Sequence, residues 1–328
     1  MREPEVADEQ NAHTVDTSAA GAAPGGADAA GGADAGGGAD AGGGVQAGGG
    51  ADAGGESVVD IPVFEAPAVE LETVTVEFDD FTPVIDASAA IERGKTTAIM
   101  GLSGSGKSTL LKAAAGLIPA AAGRVTILGV PVRPMSDGDM LELRRQVGFV
   151  FQEGALWQNM SIYRNIELPL EHQEPELTRQ QRRDRIAAAL AGFRFARDLS
   201  LRPSILSSGE AKVISFVRAT VTKPEVIFLD EPTTFVDRSN QARMVERLRA
   251  LKRDGRTLII VTHNSKIAAQ LADRVLVMAD GTILEHGTLQ EVAATDDERV
   301  REVLHEVLGD AIAYDEDLLS LLGSAEST

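Results

Sequence analysis

Thr96-Thr97-Ala98-Ile99-Met100-Gly101-Leu102-Ser103-Gly104-Ser105-Gly106-Lys107-Ser108-Thr109-Leu110-Leu111-Lys112-Ala113-Ala114-Ala115 is the stretch on which the fold turns. Its middle, residues 101–109, fits Gly-x-x-x-x-Gly-Lys-Ser/Thr and adds Gly104 inside the pattern. The five residues before it read as a buried strand and the six after it as a helix, which is the context the pattern needs. Gly101, Gly104 and Gly106 let the backbone curl with its N–H groups inward. A helix beginning near Lys107 adds its positive end to the same anion site. Phosphate is what such a nest holds: Lys107 would reach the β and γ phosphates, and the Ser108 hydroxyl would ligate Mg²⁺ between them.

The charge distribution separates this centre from its ends. Of the net −19, residues 1–57 carry −9 and residues 296–328 carry −8, leaving −2 for everything between. A near-neutral middle argues against a nucleic-acid partner, and acidic ends are commonly solvated. Zero cysteines exclude disulfides and thiolate metal sites. No run approaches eighteen apolar residues, and Met1-Arg2-Glu3-Pro4-Glu5 is unlike a secretory signal, so a soluble, cytoplasmic protein is predicted. Residues 18–55 repeat units such as Gly-Gly-Ala-Asp-Ala and cannot bury enough apolar surface to offset chain entropy. Residues 1–57 therefore read as a disordered acidic tail, with order beginning near Val58.

Val69 to Phe78 alternates apolar and acidic residues, as a half-exposed antiparallel strand does. Ala89 to Lys95 reads as a turn. Gly123–Gly129 reads as a short strand, Leu141–Val147 as a helical stretch and Gly148–Phe151 as a strand ended by Gln152. Residues 153–222 turn mostly helical, and Arg179, Arg182, Arg183 and Arg185 form a basic face read as solvated. The apolar runs 226–229 and 258–261, separated by a helix over 241–252, have the pattern of a parallel sheet covered on both faces. Asp230 and Glu231 close the first of these at the carboxyl edge, where open α/β sheets place ligands. Asp230 would hold the Mg²⁺ shell and Glu231 would face the attacking water, a metal-assisted phosphoryl-transfer site.

Leu206-Ser207-Ser208-Gly209-Glu210, about twenty residues before Asp230, resembles the Leu-Ser-Gly-Gly-Gln signature of ABC (ATP-binding cassette) ATPases. Gln152 resembles the family's Q-loop glutamine, Pro232 to Asp237 its D-loop, and Val261-Thr262-His263 its switch-histidine segment. Phe78 occupies the aromatic position that stacks on adenine. Residues 272–287 resemble the closing strands. The resemblance covers residues 68–295, and its departures are Ser208 for the first signature glycine, Glu210 for Gln, and Phe235 and Val236 in the D-loop.

The resemblance implies an α/β P-loop NTPase cassette over residues 58–295: a RecA-like parallel core, an antiparallel β subdomain and an inserted α-helical subdomain over about 153–222. It implies ATP and Mg²⁺ as cofactors. Residues 101–109 and Phe78 would bind the nucleotide, and Ser108, Gln152 and Asp230 the metal. Lys107, Gln152, Glu231 and His263 would carry the chemistry. Ser207 and Gly209, with Asp237 of the D-loop, would serve the nucleotide of a second copy, giving a head-to-tail homodimer.

A single cassette, with about a hundred residues between loop and signature, separates a transporter motor from tandem-cassette translation factors and coiled-coil repair ATPases. A kinase would lack the signature and switch histidine. The implied partner is a membrane permease, with the chain peripheral on the cytoplasmic face of the inner membrane. Phe149-Val150-Phe151-Gln152-Glu153-Gly154-Ala155-Leu156-Trp157, followed by Met160 and then Asn165 to His172, looks like the Mla/Mce-type phospholipid-transport ATPases, and Asp296 to Arg301 resembles the start of their C-terminal extension. An Mce-type substrate-binding protein would then be a further partner. Amino-acid and ion importers share much of the first segment. Trp157 sits where the family's groove receives the permease, and also suits ordinary core packing. Val300 to Ile312 has the three- and four-residue spacing of an amphipathic helix, within an acidic extension over 296–328; packing on its own domain is the default for its apolar face.

Overall fold

The computed structural model describes residues 66–133 and 136–312. The Gly/Ala/Asp-rich tail, the boundary near Val58 and residues 313–328 lie outside them. In chain order the elements are β1 (Val69–Phe78), β2 (Phe81–Ile91), β3 (Thr96–Gly101), α1 (Lys107–Ala114), β4 (Ala122–Ile127), β5 (Val130–Pro131), α2 (Asp137–Arg145) and β6 (Val147–Val150). There follow α3 (Ile162–Gln173), α4 (Arg179–Ala191), α5 (Ser208–Thr220), β7 (Val226–Asp230), α6 (Arg238–Arg253) and β8 (Thr257–Val261). The last described are α7 (Ser265–Leu271), β9 (Arg274–Ala279), β10 (Thr282–Gly287), α8 (Leu289–Ala293) and α9 (Glu298–Ile312). No helix among the described residues is long and apolar enough to cross a membrane.

One sheet runs β10-β9-β3-β8-β7-β6, parallel throughout except for β10. Alternation along its strands covers both faces: Ile227, Leu229, Leu258 and Ile260 pack with the helical segment, whereas Val226, Phe228, Ile259 and Val261 pack with α1 and the β1–β2 layer. Such two-sided burial is why these strands read as continuous apolar runs. The second sheet, β2-β1-β4-β5, is antiparallel.

The alternation in β1 breaks once. Val69 and Leu71 are buried, then Val74 and Val76, and the pairing register with β2 slips between Leu71 and Val74. Thr73 at φ 46 takes up the extra residue as a bulge. Gly123 of β4 is required opposite it, because a Cβ there would lie 2.3 Å from the Thr73 carbonyl oxygen.

Several expected boundaries move. Ala89 to Ile91 belong to β2, leaving Arg93-Gly94 as the turn. The helix expected over Leu141–Val147 is α2, capped by Ser136 and ending at Arg145, so that Val147 already pairs with β7. The basic face of α4 is only partly solvated: Arg182 donates to Glu167 Oε1 at 3.3 Å, and Arg185 pairs with Glu174. On α9, Val300, Val303 and Leu304 are buried against Ala98 and Met100 of β3 and Val275 and Val277 of β9, which places this apolar face on its own chain.

Candidate functional site

The loop from β3 to α1 is built around two close approaches. A Cβ on Gly101 would sit 2.3 Å from Met278 O, and one on Gly106, at φ 94, would sit 2.1 Å from Pro83 O. Only glycine fits at either place. Gly106 is also the N-cap of α1 and supplies no side-chain cap, so the first N–H groups of that helix face the cleft without a side-chain acceptor. Lys107 opens the helix and turns back, its ammonium donating to Leu102 O at 2.6 Å and Ser105 Oγ at 3.3 Å. Burial lowers its pKa, while the charges of Glu231 and Asp230 oppose that shift.

Across the loop, β7 ends in Asp230 with its side chain fully buried. The Ser108 hydroxyl donates to Asp230 Oδ1 at 2.8 Å, and Oδ2 has no hydrogen-bond partner among the described residues. A buried carboxylate oxygen left without a partner is costly, and beside a hydroxyl it is a fitting ligand for a hard cation. The donor set therefore fits Mg²⁺.

Glu231 leaves the strand with φ 46, and its N–H donates to Val261 O at 2.9 Å. Its carboxylate is fixed on both oxygens. The His263 backbone N–H donates to Oε1 at 2.8 Å and the Thr234 hydroxyl to Oε2 at 3.0 Å. The His263 imidazole Nε2 is 3.6 Å from Oε1. Parallel pairing of Asp230 with Val261 is what brings the two strand ends level. The resulting cleft, about 230 Å³, is lined by Ser103, Gly104, Gly106, Lys107, Ser108 and Thr109 together with Gln152, Glu231, Val261 and His263. A larger hollow of about 640 Å³ between α4, α5 and α6 has no such convergence of loop amides and carboxylates.

The other expected residues lie away from this cleft. Phe78 ends β1 and is half-exposed, and beside it Phe81 is more exposed still. Ser207 is the N-cap of α5: its Oγ accepts from the Glu210 N–H at 3.2 Å, and Glu210 Oε2 accepts from the Ser207 N–H at 2.9 Å. Glu210 also pairs with Arg197 at 2.8 Å, which gives the Glu in place of Gln a physical reason. A Cβ on Gly209 would meet Phe235 O at 2.6 Å, so α5 begins in contact with the backbone after β7. Phe235 itself is 71% exposed. Asp237 caps α6, accepting from the Ser239 and Asn240 N–H groups at 3.0 and 3.1 Å.

Comparison with known proteins places the arrangement. The ABC transporter family model matches residues 84–234. The methionine import ATP-binding protein MetN 2 of Rhodococcus jostii is 31% identical over 69% of this chain and 67% of its own length. This chain belongs to the ABC transporter ATP-binding family. MetN of Nocardia farcinica is 31% identical over 70% of each chain, and the macrolide export protein MacB of Hyphomonas neptunium 34% over 70% of this chain and 36% of its own length. The cassette thus spans about two thirds of the importer relatives and about a third of the exporter. A dimeric, post-hydrolysis ATP-binding cassette bound to ADP and Pi superposes with TM-score 0.63 at 28% identity, covering 67% of this chain and 98% of that one. The fold is the ABC-type P-loop cassette, and the cassette is an ATPase that takes ATP with Mg²⁺.

Two residues of the cassette escaped sequence reasoning. Lys212 is 1% exposed, and its ammonium donates to the carbonyl oxygens of Phe151, at 2.7 Å, and Gln152. Burial lowers its pKa to about 8 against the pull of Asp230 and Glu231. Arg218 donates to Ala155 O at 2.9 Å and lies over the Trp157 ring at 4.8 Å. The available signal is that Lys212 and Arg218 flank the apolar run Val213, Ile214, Phe216 and Val217 of one helix.

Proposed function

We propose that this cassette is the motor subunit of a membrane transporter, hydrolysing ATP in a head-to-tail pair of copies and driving a separate permease. One observation carries the reading: the uncapped start of α1, the Ser108–Asp230 pair with its unpartnered oxygen, and the doubly held Glu231 converge on one cleft.

The amides of residues 101–109 cradle the phosphates, and Lys107 exchanges its loop acceptors for β and γ oxygens. Ser108, Asp230 and Gln152 would hold Mg²⁺, whose charge would offset that developing on the phosphates. Glu231 orients the attacking water and takes its proton, His263 stands beside the γ phosphate, and Phe78 stacks on adenine. Ser207, Gly209 and Asp237 serve the partner copy's nucleotide, in keeping with their position away from their own cleft. The intact γ phosphate bridges the copies, and its loss opens them.

A second hollow, about 400 Å³, is lined by Phe149, Phe151, Trp157, Pro169 and Arg218 and suits the permease's docking segment. This would hold the chain at the inner face of the membrane. For cargo, the relatives named for methionine import support an amino-acid importer better than the lipid reading. The lipid reading, with its Mce-type partner, rests on residues 149–172 and 296–301 alone.

Glu231→Gln tests the motor. Hydrolysis should fall about a hundredfold or more with ATP affinity nearly intact, and an ATP-bound dimer should accumulate. A normal rate would remove Glu231 from its role; lost hydrolysis without an ATP-dependent dimer, with or without the permease, would sink the paired-site model. Identifying the membrane protein that copurifies with the chain separates the cargo readings.

A further inference from the structure

Lys212 is among the largest fully buried side chains of the cassette. A buried ammonium is tolerated only where acceptors meet it, and here these are two consecutive backbone carbonyls, those of Phe151 and Gln152. Phe151 O already accepts the Gly154 N–H at 3.2 Å, so the lysine braces a turn that closes on itself. Gly154, at φ 81, lies against α5: a Cβ there would stand 3.5 Å from the Ala211 carbonyl group. The helix that grips this turn begins with Ser207 and Gly209, and the turn carries Gln152, which lines the nucleotide cleft.

We propose that Lys212 is a positioning residue for ATP hydrolysis: its ammonium fastens the backbone of Phe151 and Gln152 to α5, so that any displacement of the signature helix carries Gln152 with it. The inference rests on the motor reading of the cleft. It adds a mechanical consequence, because α5 engaged by a partner copy's nucleotide then adjusts the cation shell of its own site. A methionine would fill the same space without gripping the turn.

The test uses the full chain with Mg²⁺-ATP and three proteins, wild type, Lys212→Met and Lys212→Arg. Lys212→Met should lower kcat at least tenfold while KM for ATP stays within twofold. By amide hydrogen exchange, residues 152–155 should open at least tenfold faster while residues 213–219 keep their protection. Lys212→Arg, which retains donors, should recover at least a third of the wild-type kcat. An unchanged kcat in Lys212→Met, or equal loss of protection across 213–219, would overturn the proposal, the latter by showing a merely structural lysine. Should Lys212→Met fail to fold, Lys212→Gln is judged by the same kinetic and exchange criteria. A wild-type chain without ATP turnover would overturn the motor reading instead, and the exchange comparison would still decide the tie between turn and helix.

Discussion

Two helices of the cassette begin at glycine-containing loops, α1 and α5, and they differ in what meets their first backbone N–H groups. At α1 the N-cap is Gly106 without a side-chain acceptor, and the helix start faces a cleft lined by the buried Lys107 and Glu231, with Asp230 held against Ser108. At α5 the start is closed by the Ser207–Glu210 box, tied outward to Arg197, and lies away from that cleft. The first is a nearly complete anion site. The second is a helix start closed by its own side chains, and the paired-copy reading proposed above would give it a ligand only from a second chain.

The sharpest way to break that comparison is to disarm α1. Lys107→Ala removes the one cation that α1 brings to the phosphates, and ATP affinity, measured by equilibrium binding, should fall a hundredfold or more. Affinity within threefold of wild type would mean that the loop amides suffice. Ser207→Arg disarms α5 instead. It should leave ATP binding by the isolated chain within about threefold and lower turnover roughly tenfold or more, because bulk at the helix start blocks closure on a partner copy. If turnover survives, the α5 start is no part of a shared site. The smallest effect is expected from Glu210→Ala, which removes the box and the Arg197 pair. About 1 kcal/mol should be lost, seen as a melting temperature lower by about 2–4 °C. A drop several times larger would show that Glu210 supports more than its helix.

What could be read from the chain beforehand follows the same division. The loop at 101–109, the Asp230-Glu231 strand end and the helix starts are local: each is written in consecutive residues. Strand β2 was hidden because Pro83 and Asp86 break the usual strand composition, which an edge position tolerates. The slip at Thr73 was hidden by an alternation that looks continuous until Gly123 is placed opposite it. The grip of Lys212 joins residues some sixty positions apart, and such pairings depend on the finished packing of α5 under the turn after β6. Glu231 was legible as a carboxylate, but its fixing by Thr234 and the His263 backbone was not.

The burial of Val300, Val303 and Leu304 against Met100 and Ala98 concerns the order of synthesis. The strand that presents the phosphate loop leaves the ribosome early, and one of its covers is made about two hundred residues later. At about 5–20 residues per second that interval is roughly 10–40 s. For that time one face of β3 lacks this part of its cover, so a stalled or truncated chain ending before Glu298 would leave added apolar surface exposed behind the nucleotide loop.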